Sequence, residues 1–417
     1  NITLKNSTNF DDIVNTDESP DLIFERFKFN DPLYILFSSG TTGVPKCIVH
    51  GVGGTLIQHK KEHNLHCDIK EGERVFYFST CGWMMWNWLI SGLASGATLM
   101  LYDGSPVLKN NENILFDYAD QEKFNIMGIS AKFLDTCRKL ELNPMNSHNL
   151  SSLRMMLSTG SVLNSDCFDY VYEKIKSSVC LSSISGGTDI VSCFVLGSNI
   201  LPVYRGELQT RGLGMSVEVW DDLGSPVNGR KGELVCTKTF PSKPVMFWDD
   251  KAMKKYSNSY FKRYPNIWHH GDYVKLLDNG GMVFYGRSDT TLNRGGVRIG
   301  TAEIYRQVEV LEEVFESIVV EQNWDDDSRI ILFVRLKEAI QLTDDLKEKI
   351  AKQIRENTSP RHVPDLIIQV SDIPRTKSGK IVEIAVQKAI HGLPIENKSA
   401  LENPQVLDEY HHHKELQ

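Results

Sequence analysis

Ser38 to Lys46 reads SSGTTGVPK and follows the apolar run Tyr34-Ile35-Leu36-Phe37. The run has the length and side chains of a buried strand. The strand is then cut off by serines, threonines and glycines set ahead of Pro45 and Lys46. Backbone N–H groups and hydroxyls in such a loop surround a concave anion site, and Lys46 adds a point charge. A polyphosphate suits that site. The spacing is not that of a Walker A loop, because Pro45 stands where that pattern needs glycine. The plainer alternative is a surface turn with an incidental lysine.

Outward from this loop, apolar strands alternate with amphipathic helices. Strands fit 33–37, 75–79, 97–102, 125–130 and 153–158, and helices fit 54–66, 84–95, 112–123, 131–141 and 165–177. This predicts an α/β fold with a mostly parallel sheet covered by helices. From about 203 to 287 short strands (MSVEVW, GELVCT, YVKLL, MVFYG) sit between Gly, Pro and Asp turns, a pattern of antiparallel β structure. From about 290 the strands SIVVEQ, IILFVRL and DLIIQV and the helix DDLKEKIAKQIREN predict a small α+β unit. Residues 1–25 are polar and read as loosely ordered, and 395–417 reads as peripheral.

Composition narrows the function. The chain has 417 residues, 46 Lys and Arg against 54 Asp and Glu, and a net charge of -8. That balance disfavours nucleic acid or an anionic membrane as the main partner. An anionic small molecule remains compatible, since local cations decide its binding. The eight cysteines form no C-x-x-C pair, which favours reduced thiols and a cytosolic location over a zinc or disulfide framework. The N-terminus shows no basic-then-apolar signal segment. Val75 to Tyr102 carries no charge and is long enough to cross a bilayer. Ser79-Thr80-Cys81-Gly82, Gly92, Ser95 and Gly96 interrupt it, so strand, loop, buried helix and strand is the preferred reading.

His59 to His63, HKKEH, matches the H-x-x-E-H zinc-peptidase pattern. No third ligand accompanies it, and the ordinary reading is a charged, exposed helix face. The tail triplet His411-His412-His413 offers no more than adventitious metal binding. Other stretches carry chemistry in a fixed order: GWMMWNW, LSTGSVLNSD, SISGGTDI, HHGDYVKL, GRSDTTLN, PRHVPDLI and PRTKSGKI.

Together with FSSGTTGVPKCIVH, this order resembles the adenylate-forming acyl-CoA synthetases from about Phe29 to the tail. The resemblance implies a large adenylation domain and a mobile C-terminal domain. It divides the chain into a leader (1–28), an α/β subdomain (29–202), a β-rich subdomain (203–288), a C-terminal α+β domain (289–394) and a tail (395–417). It implies ATP, Mg²⁺ and CoA as cofactor and co-substrates. A carboxylic acid becomes an acyl-adenylate with loss of pyrophosphate, and the thiol of CoA then displaces AMP.

The roles implied by the resemblance fall on particular residues. Ser38, Ser39, Gly40, Thr41, Thr42, Gly43 and Lys46 hold the β- and γ-phosphates. Thr188 reaches the α-phosphate, and Asp189, where that family more often has glutamate, holds Mg²⁺. Gly160, Ser161, Val162 and Gly187 line the nucleotide site. Asp272 and Arg287 take the ribose hydroxyls, and Arg298 approaches the phosphate. Lys380 is the mobile catalytic lysine and Asp289 the hinge. Gly295 and Gly296 leave the thiol's path open, and Arg355 is placed as a CoA contact, with a solvated helix charge as its alternative.

By the same resemblance Trp83, Met84, Met85 and Gly186 form the acyl pocket, with ordinary core packing as the alternative for Met84 and Met85; Gly186 stands where acetyl-specific relatives have a tryptophan. The missing indole fits a longer acid such as acetoacetate, a ketone body that would enter lipid synthesis. Another short-chain acid, transfer to a carrier protein, a nucleotide fold without activity and a truncated inactive fragment are the alternatives. The resemblance also implies a large segment before the SSGTTG loop that this chain lacks. Oligomeric state stays open.

Overall fold

A computed structural model describes residues 7–14, 21, 23–38, 46–294, 297–324, 327–376, 379–395 and 398–416. Its centre is a five-stranded parallel sheet of β3 (Arg74–Tyr77), β4 (Thr98–Met100), β5 (Ile126–Ser130), β6 (Met155–Thr159) and β7 (Cys180–Ser183) in the order β4-β3-β5-β6-β7. Side chains alternate across each strand. Phe76, Met127, Ile129 and Met156 enter one core, with Phe116, Leu134 and Phe168. Val75, Tyr77, Ile126, Met155 and Leu157 enter the other, with Met85, Trp88 and Leu89. Both faces are buried, so the strands are apolar without polar alternation, as the sequence pattern required.

The uncharged stretch resolves into β3, the helix Met84–Ile90, a 3₁₀ turn and β4. Among the described residues no helix is long and apolar enough to cross a membrane. The 54–66 helix runs as Val52–Lys61 and widens into a π turn over Glu62–His66.

The strand before the SSGTTG loop departs from its expectation. β1 (Pro32–Phe37) is not in the parallel sheet; it pairs antiparallel with β2 (Cys47–Gly51), which takes Met246–Phe247 on its other side. As an edge strand it has one neighbour, and Leu33 and Phe37 are exposed rather than buried.

Past β7 the chain turns back through β8 (Ser185–Gly187) and β9 (Ser192–Leu196), antiparallel, with a register shift between Ser185 and Gly186. The β-rich stretch forms a four-stranded antiparallel sheet, Val217–Trp220, Lys231–Cys236, Trp268–Leu276 and Met282–Arg287. The C-terminal region is built on the hairpin Val314–Trp324 and Asp327–Leu336, with Leu366–Gln369 parallel to the second strand. Helix Asp344–Asn357 packs Leu346, Ile350 and Ile354 on one face of this sheet. Helix Glu383–Ile390 covers the other with Val386 and Ala389.

The tail is not peripheral. Tyr410, fully buried, packs its ring 4.7 Å from Phe333 and donates its hydroxyl to the Asp372 carbonyl at 2.8 Å. Leu407 and Leu416 join the same core. Apolar anchors spaced among polar residues dock the segment, and its polar composition concealed them.

Candidate functional site

The SSGTTG loop is pinned at its base: Ser38 and Lys46 exchange backbone contacts, and the Lys46 amide donates to Ser38 Oγ at 3.1 Å. Ser39, Gly40, Thr41, Thr42 and Gly43 lie outside the described residues. The Lys46 ammonium leaves the loop toward Asp189, 3.0 Å away, and sits 4.9 Å from the centroid of the Tyr260 ring. Tyr260 donates its hydroxyl to the same Asp189 Oδ1 at 2.5 Å and stacks on Trp268 at 3.8 Å.

Burial alone would raise the Asp189 pKa. Lys46, His270 and the Tyr260 hydroxyl outweigh it and hold the carboxyl well below its usual range. The β8–β9 turn that carries Thr188 and Asp189 therefore presents an ionised carboxylate beside Lys46.

Asp272 and Arg287 are cross-strand neighbours in register, which places their side chains on one face of the sheet. Arg287 donates from Nη1 to Asp272 Oδ1 and to the His270 carbonyl, each at 3.0 Å, and its Nε lies 3.6 Å from Asp289. Burial works against the guanidinium, but Asp272, Asp289 and Asp189 raise its pKa. Lys380 belongs to the same electrostatic site. Burial, then Arg287, lower its pKa, while Asp189 and Asp272 oppose the shift. The lysine from the C-terminal region thus lies within electrostatic reach of the carboxylates of the β8–β9 turn and the β-rich sheet.

Other expected residues are placed differently. Arg298 donates to Glu233 at 2.7 Å and lies 4.3 Å from the Tyr273 ring centroid, so its partner here is a buried carboxylate rather than an open anion site. Glu233 also accepts from His269 and Ser288, and these bonds with Arg298 overcome burial to lower its pKa to about 2. Met84 and Met85 are buried beside Ile184, Val191 and Cys193, under the β8–β9 pair, and half-buried Trp83 packs edge-on to Tyr77. Gly160 has φ of 100°, a conformation that favours glycine, with exposed Ser161 and half-buried Val162 following. Arg355 is exposed in the last turn of its helix. Gly295 and Gly296 lie outside the described residues.

Gly186 has a structural reason of its own. A Cβ there would lie 1.8 Å from the Ser192 carbonyl oxygen and 2.6 Å from Cys193 Cα. Its free side faces the partner strand's backbone rather than open pocket space. At Gly187 a Cβ would be 3.2 Å from the His270 ring.

The HKKEH stretch is neither exposed nor a metal motif. His59, Glu62 and His63 are buried. Both His59 nitrogens are taken, by Ser91 Oγ at 2.9 Å and the Val191 carbonyl at 2.6 Å. Glu62 accepts from Ser192 Oγ at 2.5 Å, the Cys193 amide at 3.1 Å and Trp88 Nε1 at 2.9 Å. It ties the helix end to β9, and so supports the turn that carries Asp189. Among the described residues no group of three or more His, Cys, Asp or Glu could hold a metal.

Tyr260 was not expected from sequence. Its helix, KKYSNSY, is polar apart from Tyr256 and Tyr260 one turn apart, and that i, i+4 aromatic pair is the only local signal. Under the function proposed below, Tyr260→Phe is expected to lower the rate of adenylate formation about ten- to a hundredfold, the scale of a hydrogen bond to a charged group at ~1.5–3 kcal/mol. Steady-state kinetics should show this in kcat, with the thermal midpoint little changed. An unchanged kcat would remove Tyr260 from the site.

Comparison with known proteins agrees with this geometry. The AMP-binding enzyme family model matches residues 4–242, and the AMP-binding enzyme C-terminal domain model matches 309–380. Acetoacetyl-coenzyme A synthetase of Rhizobium meliloti (strain 1021) is 59% identical over 97% of this chain and 62% of its own length. Acetoacetyl-CoA synthetase of Gallus gallus is 49% identical over 99% of this chain and 63% of its own. The solved structure of acetoacetyl-CoA synthetase from Streptomyces lividans superimposes with a TM-score of 0.89 at 40% identity, covering 96% of this chain and 62% of that one. The chain thus spans less than two thirds of the length of these relatives. On this evidence, with an adenylate-forming fold and paired matches in both regions, the chain belongs to the AMP-binding enzymes.

Proposed function

We propose that the protein is an ATP-dependent acid–thiol ligase that makes acetoacetyl-CoA from acetoacetate through an acyl-adenylate. The observation that carries this reading is the cluster of Lys46 with Asp189 and of Arg287 with Asp272, with Lys380 of the C-terminal region within its electrostatic reach. The names of the relatives supply the acid.

In the first step a carboxylate oxygen of the acid attacks the α-phosphorus of ATP. The new bond is acyl O–P, the bond to the β-phosphate oxygen breaks, and pyrophosphate leaves. Negative charge gathers on the phosphoryl oxygens, so the protein's task is to place donors and cations there. The Ser38–Lys46 loop binds the departing pyrophosphate, and Thr188 donates to the α-phosphate. Lys380 bridges the incoming carboxylate and the α-phosphate. Asp272 accepts from the ribose hydroxyls, with Arg287 fixing its orientation.

Asp189 is the residue that would hold Mg²⁺. It is an ionised hard oxygen ligand whose bonds to Lys46 and Tyr260 both fall on Oδ1. A single carboxylate suits an ion carried mainly by phosphates and water. Bound there, the ion supplies charge neutralisation at the phosphates.

In the second step the sulfur of CoA attacks the acyl carbon and AMP departs. The C-terminal region turns about Asp289 between the steps, withdrawing Lys380 and opening the path past Gly295 and Gly296. The division of the chain at 202, 288 and 394 is part of this proposal, as is a cytosolic site, with which the free cysteines are compatible.

The test is acid-dependent ATP–pyrophosphate exchange with acetoacetate, acetate, propionate, butyrate and 3-hydroxybutyrate. Exchange strongest with acetoacetate is the expected result. Preference for another acid would leave the chemistry and reject the substrate, and no exchange with any acid would reject both.

A further inference from the structure

Helix Ala131–Lys139 packs on the parallel sheet, and Lys132, Asp135 and Lys139 share one side of it at i, i+3 and i+7. That side meets Phe315 and Glu316, at the start of the C-terminal hairpin. Lys132 pairs with the Glu316 carboxylate, and Lys139 donates to the Phe315 carbonyl. Both ammonium groups also lie by the Phe315 ring, 5.0 and 5.1 Å from its centroid. Asp135 pairs with Lys139 at 2.8 Å and keeps it in place.

Glu316 is 4% exposed. A carboxylate so buried requires cationic partners. It has one from the large region, Lys132, and two from its own, Arg375 at 3.2 Å and Arg335 at 3.9 Å. Arg375 in turn donates from Nη1 to the Gly379 carbonyl at 2.8 Å. Gly379 precedes Lys380. An ion-pair and hydrogen-bond path therefore runs from Lys132 through Glu316 and Arg375 to the backbone that carries the catalytic lysine.

We propose that Lys132, Glu316 and Arg375 form a docking-dependent latch that positions the Lys380 loop for the adenylation step. This rests on the two-step reading above. The geometry gives the latch a direction. Lys132 contacts Glu316 only while the C-terminal region lies against the large region, so the pair stabilises that arrangement over any other. When the region turns away, Glu316 keeps Arg375 and Arg335 and remains paired within its own fold. The latch can thus release without stranding a buried charge. Glu316 and Arg375 are positioning residues, since they act through the Gly379–Lys380 backbone.

The test compares wild type with Lys132→Met and Lys132→Arg in the protein as its gene encodes it. Amide hydrogen exchange over Gly379–Ala385 is read first and needs no activity. It should be faster in Lys132→Met and restored in Lys132→Arg. Acetoacetate-dependent pyrophosphate exchange should fall about tenfold in Lys132→Met, the scale of a typical coupling between sites. Thioester formation from preformed adenylate should stay within about twofold, and Lys132→Arg should recover the first step.

Equal loss in both steps, or amide exchange unchanged in all three proteins, would overturn the latch. A wild type inactive with every acid, with amide exchange still responding to Lys132→Met, would reject the ligase reading and the latch's role in adenylation, leaving only the structural coupling of Lys132 to the Gly379–Lys380 backbone.

Discussion

Replacing Lys380 with alanine is expected to lower acetoacetate-dependent ATP–pyrophosphate exchange by about two to three orders of magnitude, the loss typical of one preorganised donor aimed at developing charge. The same variant should convert preformed acetoacetyl-adenylate and CoA to thioester within a few-fold of the wild-type rate. The asymmetry follows from position. Lys380 comes from the C-terminal region and lies within electrostatic reach of the Asp189, Asp272 and Arg287 cluster, so under the proposed function its charge matters where the α-phosphate reacts. Burial and Arg287 lower its pKa. The kcat/KM profile for ATP, which reports the free enzyme, should lose activity on the alkaline side at a lower pH than an exposed lysine would give. The alanine variant should lack that limb. Equal losses in the two steps would reject the role of Lys380 as an adenylation residue.

Glu62→Ala is expected to destabilise the fold by about 3–5 kcal/mol, the cost of breaking a buried charge network by removing one partner. The substitution strands the Ser192 hydroxyl, the Cys193 amide and the Trp88 indole N–H. It also leaves half-buried Lys61, 3.7 Å from Glu62, without that counter-charge. Denaturant unfolding should show a lower midpoint at unchanged slope. The pH dependence has a definite sign. Burial tends to raise the Glu62 pKa, but Lys61, Ser192 and His59 lower it overall. A depressed carboxylate stabilises the fold above its unfolded pKa and loses that contribution as pH falls through its folded value. Wild type should therefore lose more stability than Glu62→Ala on acidification below the normal carboxylate range. A midpoint that does not move would mean that the network contributes nothing.

How much of this was legible in the sequence depends on the kind of signal each residue carries. The parallel strands were legible because burial on both faces forces unbroken apolar runs, as in Ile126–Ser130 and Met155–Thr159. Apolar content alone could not tell those strands from β1, which is equally apolar but lies on an edge. Asp272 and Arg287 stood out through their motifs, and the strand register shows that the two lie side by side. Glu62 was misread because a carboxylate among lysines and histidines looks solvated. Its partners lie about 130 residues away on β9, beyond any local pattern. Tyr260 reaches Asp189 across 71 residues, and Tyr410 enters a core from a segment rich in histidine and charge. Lys132 and Glu316 are each ordinary surface-type residues until the two regions meet.

The close approach of β8 and β9 at Gly186 couples this position to the buried anchor of β9. A side chain at Gly186 collides first with main-chain atoms of Ser192 and Cys193. Those residues are themselves tied to Glu62. A bulky residue therefore requires the β9 strand to shift and its anchor to be rebuilt at the same time. A single substitution at Gly186 is therefore expected to cost stability unless Ser192 and Glu62 change with it, and denaturant unfolding of Gly186→Trp checks this.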